Sequence, residues 1–236
     1  MKKGKLYLIP NVIAENTSQD VIAQQVREVV KTTDYYLVEN IRTARRYISS
    51  LKTGRVLEDL EFEVLDKKTK FVQLSEMFEP IFEGSNIGII SESGCPGVAD
   101  PGSMAVAFAH ERKIEVVPLV GPSSLLMALM ASGFNGQKFC FHGYLPIDKK
   151  EASIAIKSLE TESNKNRQTQ IFIETPFRNN QIFQSLISHC RPETQLCVAK
   201  DISGPNEYIK TKRIRDWKNE KPELHKVPVV FLLYSC

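Results

Sequence analysis

Long hydrophobic runs are missing from this chain of 236 residues. The longest apolar stretches are residues 125–131 and, counting a proline, 227–234, whereas a membrane span needs roughly 20 residues. The basic start of the chain is followed by a short apolar segment, residues 6–10, without the cleavage pattern of a signal peptide. We therefore expect a protein that does not cross a membrane and stays in the cytoplasm.

Metal-ligand spacings and a strong charge excess are also missing. The five cysteines form no C-x-x-C pair, and the four histidines complete no zinc-ligand spacing, so we expect free thiols and no bound metal. The cysteines are Cys95, Cys140, Cys190, Cys197 and Cys236. Lys plus Arg at 31 against Asp plus Glu at 28 leaves a net charge of +3, which is too small to indicate a nucleic-acid partner by itself.

Two common nucleotide-binding motifs are absent. No G-x-G-x-x-G fingerprint occurs anywhere, so the usual dinucleotide site and the usual glycine-rich methyltransferase site lack support. Gly97 and Gly102 have the glycine spacing of a P-loop, but Ser103 stands where that motif needs Lys. A nucleoside triphosphatase is therefore disfavoured.

Short apolar runs alternate with helical patterns, which predicts an α/β fold with mostly parallel strands. The predicted strands are residues 5–9, 35–39, 86–90, 114–119, 139–141, 170–174, 196–200 and 229–234. The predicted helices include residues 20–31, 103–112 and 123–132, whereas the polar segment 161–169 predicts an exposed loop. The loop at residues 120–122 divides the chain into two predicted α/β domains, 1–119 and 120–236.

The densest turn chemistry lies in residues 91–102, S-E-S-G-C-P-G-V-A-D-P-G. This segment follows an apolar strand and precedes a helical run. Glycine allows positive φ and close backbone approach, and the following helix offers unpaired N–H groups. The segment therefore suits a ligand-binding loop, although a plain connection between strand and helix fits its composition equally well.

The same loop resembles the S-D-A-G-T-P-x-x-x-D-P-G segment of the tetrapyrrole-methylase superfamily, in its branch of ribosomal RNA small-subunit methyltransferase I. Further segments agree in order. They are residues 4–9, E-N-I-R at 39–42, V-V-P-L-V-G-P-S at 116–123, A-L-M-A-S-G at 128–133, residues 139–146 and E-T-P-F-R at 174–178. The resemblance spans nearly the whole chain and implies two α/β domains of the tetrapyrrole-methylase type with the cofactor in the interdomain cleft, usually in a homodimer.

The resemblance implies S-adenosylmethionine as the cofactor. The residues assigned to it are Ser91, Glu92, Gly94, Cys95, Pro96, Val98, Ser123 and Leu145. Main-chain groups of the glycine loop are expected to meet the polar atoms of the cofactor. Ser123, at a helix start, suits the methionine carboxylate or a simple helix cap. For the ribosomal branch the implied partner is the small ribosomal subunit, with a ribose 2′-hydroxyl in its RNA as the methyl acceptor.

A ribose hydroxyl needs a positioned base, and the candidate catalytic residues are Glu39, Glu174 and Arg178. Each glutamate follows an apolar strand, and each has an arginine close by, Arg42 and Arg178 respectively. The alternative is that each glutamate and its arginine form an ion pair that holds a loop. Arg42 also suits a contact with an RNA phosphate.

One compact basic cluster is a candidate for RNA binding. It consists of Lys210, Lys212, Arg213 and Arg215. A solvated charged face is the alternative. Tyr208 and Trp217 flank the cluster and suit base stacking, or in the case of Trp217 an anchor for the last helix.

Departures from the family pattern leave three functions open. The first loop lacks the family's glycine, Asn40 stands for an acidic residue, Phe177 stands for a histidine, and the family's additional carboxyl-terminal region is expected to be absent. We favour methylation of small-subunit ribosomal RNA. The alternatives are methylation of a tetrapyrrole or another small molecule, and an inactive module that binds cofactor or RNA.

Overall fold

The computed structural model describes residues 3–235. Met1, Lys2 and Cys236 lie outside the described residues, and so does the thiol expected at Cys236. The chain divides into two compact units, Met1–Ser123 (the first unit) and Ser124–Cys236 (the second unit). That 1–119 and 120–236 are separate domains stays a prediction.

The first unit is built on a parallel sheet. Its strands are β1 (Lys5–Ile9), β2 (Tyr35–Val38), β3 (Glu61–Val64), β4 (Ile87–Ile90) and β5 (Glu115–Pro118). They lie in the order β3-β2-β4-β1-β5, and every neighbouring pair is parallel. The first strand of the chain therefore lies inside the sheet, between β4 and β5.

Helices cover both faces of this sheet. They are α1 (Ser18–Val21), α2 (Gln24–Lys31), α3 (Ile41–Ser50), α4 (Leu74–Met77), α5 (Glu79–Phe82) and α6 (Gly102–Glu111). Side chains alternate along β1, so that Leu6 packs on one face with Phe108 of α6, and Ile9 packs on the other with Val26 of α2 and Ile48 of α3. Burial of both faces explains why the inner strands β2, β4 and β1 are mostly apolar.

The second unit is built on a mixed sheet. Its strands are β6 (Phe139–Tyr144), β7 (Thr169–Ile173), β8 (Gln195–Lys200), β9 (Tyr208–Arg213) and β10 (Val229–Tyr234). In the order β6-β7-β10-β8-β9, only β6 and β7 are parallel neighbours. The prediction of mostly parallel strands is correct for the first unit and wrong here. The connection from β8 to β9 is too short for the crossover that parallel neighbours require.

Among the described residues, four helices complete the second unit. They are α7 (Ser124–Ser132), α8 (Lys149–Asn166), α9 (Asn179–His189) and α10 (Ile214–Trp217). The core includes Phe172 and Phe231, whose stacked rings are 5.6 Å apart, and Trp217, whose indole N–H donates to the Leu196 carbonyl at 2.9 Å. Trp217 is fully buried, which excludes base stacking and confirms the anchor hypothesis. Across residues 3–235, no helix has both the length and the apolarity needed to pass through a bilayer.

The loop predicted at 161–169 is wrong, because α8 continues through Asn166 and ends at Arg167 with φ 50°. Leu159 and Ser163 face inward and are buried, whereas Glu162 and Lys165 lie on the exposed face. An exposed helical face and a loop have the same polar composition, so composition alone does not separate them.

The predicted helix 20–31 is two helices. The chain is extended at Ile22 (φ −96°, ψ 120°), which sends this side chain into the core between α1 and α2. Strands β3 and β9 are missing from the prediction because their charged residues hide the apolar alternation. Both are edge strands, where charged side chains are common. The remaining predicted strands agree with the structure to within a few residues.

Candidate active site

Three neighbouring parallel strands of the first unit end at one edge of the sheet. Ile9 of β1 and Val38 of β2 both pair with Ile90 of β4, so the three carboxyl ends are level. Asn11 follows β1, Glu39 follows β2, and the glycine loop 91–101 follows β4. Ligands of open α/β sheets gather at this edge. The structure therefore brings Glu39 and the predicted loop together.

Asn11 holds the first half of the glycine loop. Its side chain is buried, and its amide nitrogen Nδ2 donates to the carbonyls of Ser91 at 2.9 Å and Glu92 at 3.1 Å. Its main-chain N–H donates to the Gly94 carbonyl at 2.9 Å. Sequence reasoning gave Asn11 no role. The available signal was its residue type, because an Asn directly after a strand readily bonds to nearby backbone.

Asp100 holds the second half of the loop. Its Oδ1 accepts the main-chain N–H groups of Gly97 at 2.8 Å and Gly102 at 2.7 Å. A Cβ atom at Gly102 would lie 2.8 Å from this oxygen, so the position needs glycine. Oδ2 is buried without a hydrogen-bond partner among residues 3–235. Burial raises the pKa of Asp100, although the two backbone hydrogen bonds act to lower it.

The segment between these two attachments is open to solvent. Gly94 and Gly97 have φ values of 69° and 83°, in the left-handed region that favours glycine. Cys95 and Gly97 are half-buried and Val98 is exposed, whereas Pro96 is buried. The loop is therefore fixed at both ends and partly exposed between them, at Cys95, Gly97 and Val98.

Two of the predicted cofactor residues on this loop, Ser91 and Glu92, make hydrogen bonds within the protein. Ser91 is buried, and its hydroxyl donates to the carbonyls of Ser93 at 3.1 Å and Gly94 at 3.3 Å, so its side chain stabilises the loop. Glu92 is exposed, and its main-chain N–H donates to Oε1 of Glu39 at 3.2 Å. A contact of either residue with a cofactor stays a prediction.

Glu39 is a half-buried carboxylate beside this loop. Burial raises its pKa, and the negative charges of Asp100 and Glu92 act in the same direction, against the Glu92 hydrogen bond and the positive charge of Lys67. Within residues 3–235 no ion pair joins Glu39 to Arg42, which is exposed on α3, so the ion-pair alternative is wrong for this glutamate. A carboxylate with a raised pKa is a stronger base than an ordinary one.

A cavity of about 420 Å³ borders the glycine loop at Gly97 and Ala99. Asp66, Lys67 and Thr69 line it from the segment after β3, and Asp100 and Ser103 line it from the start of α6. Sequence reasoning missed residues 66–69, because β3 itself was missed. Within residues 3–235 no group of His, Cys, Asp and Glu is arranged to hold a metal ion.

The other predicted catalytic residues lie in the second unit and form an ion pair. Glu174 follows β7, and its Oε2 lies 3.2 Å from the Arg178 guanidinium. Its Oε1 accepts the Thr175 N–H at 2.7 Å, and Arg178 also donates to the Pro146 carbonyl at 3.0 Å. The structure thus shows the ion-pair alternative for Glu174 and Arg178. A catalytic role for either residue stays a prediction.

The last two predicted cofactor residues differ in exposure. Leu145 is buried in the core of the second unit with Ile156 and Phe172, so only its main chain is available to a ligand. Ser123 is half-buried and directly precedes α7. Contact with a cofactor stays a prediction for both residues.

The predicted basic cluster is largely paired with carboxylates. Lys210 and Lys212 on β9 both contact Glu220, and Arg213 and Arg215 both contact Glu193. The sequence shows the four cations together, but their acidic partners come from other segments. RNA binding by Lys210, Lys212 and Arg213 stays a prediction, with the pairing as a competing interaction.

Cys95 offers a chemical test of the loop environment. Burial and the negative charge of Asp100 raise the pKa of its thiol, whose Sγ lies 3.4 Å from the Pro122 carbonyl. Because the thiolate is the reactive form, we expect iodoacetamide to modify Cys95 more slowly at pH 7.5 than it modifies glutathione. Peptide mass spectrometry over time measures the rate, and Cys95→Ser assigns the modified site. Modification at the rate of glutathione would contradict this environment.

Comparison with known proteins gives the proteins to which this chain is similar. No family model matches the chain. The ribosomal RNA small subunit methyltransferase I of Buchnera aphidicola subsp. Acyrthosiphon pisum is 27% identical over 235 residues, which cover 98% of this chain and 78% of the relative. The protein of the same name from Haemophilus influenzae is 28% identical over 233 residues, with the same two coverages. The chain is a relative of these methyltransferases.

Solved structures support the same relationship at the level of fold. The methyltransferase CobJ has a TM-score of 0.66 and 19% identity, covering 99% of this chain and 95% of CobJ. Uroporphyrin-III-C-methyltransferase from Thermus thermophilus has a TM-score of 0.56 and 16% identity, covering 99% of this chain and 93% of that protein. The predicted α/β fold of the tetrapyrrole-methylase type is confirmed, and so is the predicted resemblance to the ribosomal RNA branch.

Proposed function

We propose that the chain transfers the methyl group of S-adenosylmethionine to a ribose 2′-hydroxyl in small-subunit ribosomal RNA. The relatives named for this RNA support the proposal, because they match across almost the entire chain. The structural observation that carries it is the position of Glu39, a carboxylate with a raised pKa, beside the glycine loop at one sheet edge.

The loop fits this cofactor by its construction. Asn11 and Asp100 fix it through their own side chains, and Asp100 holds the Gly97 N–H, so the loop offers a ligand a surface of fixed shape. Glu39, Glu92 and Asp100 also give this edge a negative potential, which favours a cationic ligand. When bound, S-adenosylmethionine supplies an activated methyl group on a positively charged sulfur, and the protein aligns the acceptor with it.

Glu39 is the better of the two candidate bases. The carboxylate of Glu174 is committed to Arg178 and Thr175, whereas Glu39 accepts one main-chain hydrogen bond and has a raised pKa. A hydroxyl acceptor must lose its proton during the transfer, and a carboxylate of raised pKa takes that proton more readily. The proposal therefore gives Glu39 the role of base, which requires its deprotonated form.

The chain is further proposed to act as a homodimer. Leu126 and Met130 of α7 and Tyr144 of β6 are more than half exposed, although they are large apolar residues. Leu126 and Met130 lie one turn apart on α7, and a contact there would remove their apolar surface from water. A second copy of the chain is the occupant we propose.

Methyl incorporation tests the proposed reaction. The protein is incubated with methyl-tritiated S-adenosylmethionine and small ribosomal subunits from cells that lack it, and the modified nucleotide is mapped. We expect label in the RNA at a ribose, and a loss of at least about 100-fold in rate for Glu39→Gln, the lower end of general-base contributions. Glu58→Gln is the matched control, because Glu58 is an exposed carboxylate in the same unit.

Other outcomes of this experiment favour the alternatives. Label in small molecules of a cell extract, and none in RNA, would favour a tetrapyrrole or another small acceptor. Absence of label in every acceptor would favour an inactive module that binds cofactor or RNA.

A further inference from the structure

Phe177 is a solvent-exposed aromatic residue three positions after Glu174, which follows β7. Phe177 lies in the connection between β7 and α9 and is 70% exposed. Its ring meets the imidazole of His225 edge to face, with centroids 6.2 Å apart and an interplanar angle of 77°. Exposure of a phenylalanine at this level leaves most of its apolar surface in water, so a ligand that covers the ring would gain from its burial.

The segment next to Phe177 carries a cationic residue, Lys226. The main-chain N–H of Lys226 donates to the Pro176 carbonyl at 3.0 Å, so Lys226 and Phe177 lie on adjoining loops. Lys226 is exposed and makes no ion pair within residues 3–235. The one carboxylate on this segment that bonds nearby is Glu223, which accepts the His225 main-chain N–H at 3.1 Å.

Buried contacts hold this arrangement in place. Asn179, fully buried at the start of α9, donates through Nδ2 to the Val227 carbonyl at 2.7 Å. Leu224 is fully buried in the core of the second unit. The loop of His225 and Lys226 is therefore fixed on both sides, and the exposed rings are preorganised, which lowers the entropy cost of binding a planar ligand.

We infer that Phe177, His225 and Lys226 form a stacking site for an unpaired RNA base. This inference rests on the proposed function, since it names the part of the RNA substrate that the second unit holds. Proteins that bind single-stranded nucleic acid combine aromatic rings, on which bases stack, with cations that contact the backbone phosphates. Phe177 and His225 supply the rings for stacking. Lys226, which makes no ion pair within residues 3–235, supplies the cation.

Fluorescence of a labelled RNA tests the stacking directly. The probe is an oligouridine with one central 2-aminopurine, whose emission falls when the base stacks on a ring. We expect wild-type protein to quench the probe, and Phe177→Ala and Phe177→Leu to lose the quenching and bind about tenfold more weakly, within the usual range for one stacked base. Phe177→Trp is expected to restore both, because it keeps a planar ring where leucine keeps only apolar volume.

Two further variants separate stacking from general effects. Phe82→Ala is the matched control, since Phe82 is an exposed aromatic residue of the first unit with the Lys3 ammonium 5.2 Å from its ring centroid. It is expected to leave RNA binding unchanged. Lys226→Ala is expected to reduce the salt dependence of binding by about 0.7 in the slope of log K against log salt, the value for one phosphate contact on a single strand.

The outcomes distinguish this inference from the proposed function. Undiminished quenching by Phe177→Ala would overturn the stacking site, even where the wild-type protein methylates small subunits. A wild-type protein that stacks the probe but methylates no RNA would leave the stacking site standing and overturn the proposed reaction. Phe177→Ala that binds RNA normally but sediments as a smaller species would overturn the inference and assign Phe177 to a contact with a second copy of the chain.

Discussion

Gly94→Val is expected to abolish cofactor binding while the chain still folds. Gly94 has a φ of 69°, and the hydrogen bond from the Asn11 main-chain N–H to its carbonyl helps to fix this conformation. Valine, a β-branched residue, avoids positive φ. The strain costs about 1–3 kcal/mol, less than the typical stability of a folded domain of about 5–15 kcal/mol. A Cβ atom would lie 3.5 Å from the Pro122 carbonyl, which is an ordinary contact, so the expected damage is a turned peptide at residues 94–98 rather than a clash.

Thermal unfolding with S-adenosylhomocysteine measures this effect. At a ligand concentration of about 100 times the dissociation constant, binding stabilises the folded state by about 2.7 kcal/mol. We expect that stabilisation for the wild-type protein and none for Gly94→Val.

Gly54→Val is the matched control for this substitution. Gly54 has a φ of 80° and nothing within 4 Å of an added Cβ atom, so the variant carries the same backbone strain away from the loop. It should unfold at a lower temperature than the wild type but keep the full stabilisation by ligand. If Gly94→Val kept it as well, the glycine loop would not be the cofactor site.

Asp100→Ala and Asp100→Asn are expected to have opposite consequences for the loop. Alanine removes the acceptor for the N–H groups of Gly97 and Gly102, and hydrogen bonds to a charged group are each worth about 1.5–3 kcal/mol. The loop is then free to move, and we expect cofactor affinity to fall at least tenfold. Asparagine keeps one oxygen at the Oδ1 position, so the loop and the affinity should be retained.

Asp100→Asn is also expected to move the pH dependence of the reaction. The negative charge of Asp100 raises the pKa of Glu39, so removal of that charge lowers it. If Glu39 acts as the base, activity is lost as the pH falls through its pKa, and the acid limb of kcat/KM should move to lower pH in Asp100→Asn. The measurement is methyl incorporation across a pH series. An acid limb that stays in place or moves to higher pH would contradict the role of Glu39.

The same carboxyls predict how stability changes with pH. Burial raises the folded-state pKa of both Glu39 and Asp100, so their protonated forms favour the fold, and that contribution is lost as the pH rises through each raised pKa. The loss begins above the ordinary carboxyl pKa of about 4. Asp100→Asn carries one such group fewer, and its stability should therefore decline less over this range.

The glycine loop was predictable because its signal is local. Its turn residues lie between an apolar strand and a helix, and Gly94 and Gly97 do adopt the positive φ that glycine allows. Asn11 and residues 66–69 were not predictable in the same way. Asn11 meets the loop across about 80 residues of chain, and nothing in the neighbouring sequence indicates which backbone groups it will bond.

For charged residues too, ion pairs between neighbours in the sequence were predictable, and ion pairs between distant segments were not. The spacing of Glu174 and Arg178 places them within reach along the chain, and an ion pair is one of the two roles that this spacing predicts. The cations of β9 were visible as a cluster, but Glu193 and Glu220, which pair with them, reach the strand only after the chain has folded. The sequence therefore predicted where the basic cluster lies, but it did not show that carboxylates from other segments pair with its cations.

The place of β1 inside its sheet bears on how the protein is made. Lys5 pairs with Glu115 on one side, and Leu6 pairs with Ile87 on the other. A ribosome delivers β1 before β4 and β5, so one edge of this apolar strand stays unpaired until Ile87 follows Leu6, and the other edge until Glu115 follows Lys5. Strand pairings between residues this far apart in the sequence slow folding, and apolar segments stay exposed until the pairs form. We therefore expect the apolar segments of the nascent first unit to stay exposed for longer than they would if β1 paired with the next strand along the chain.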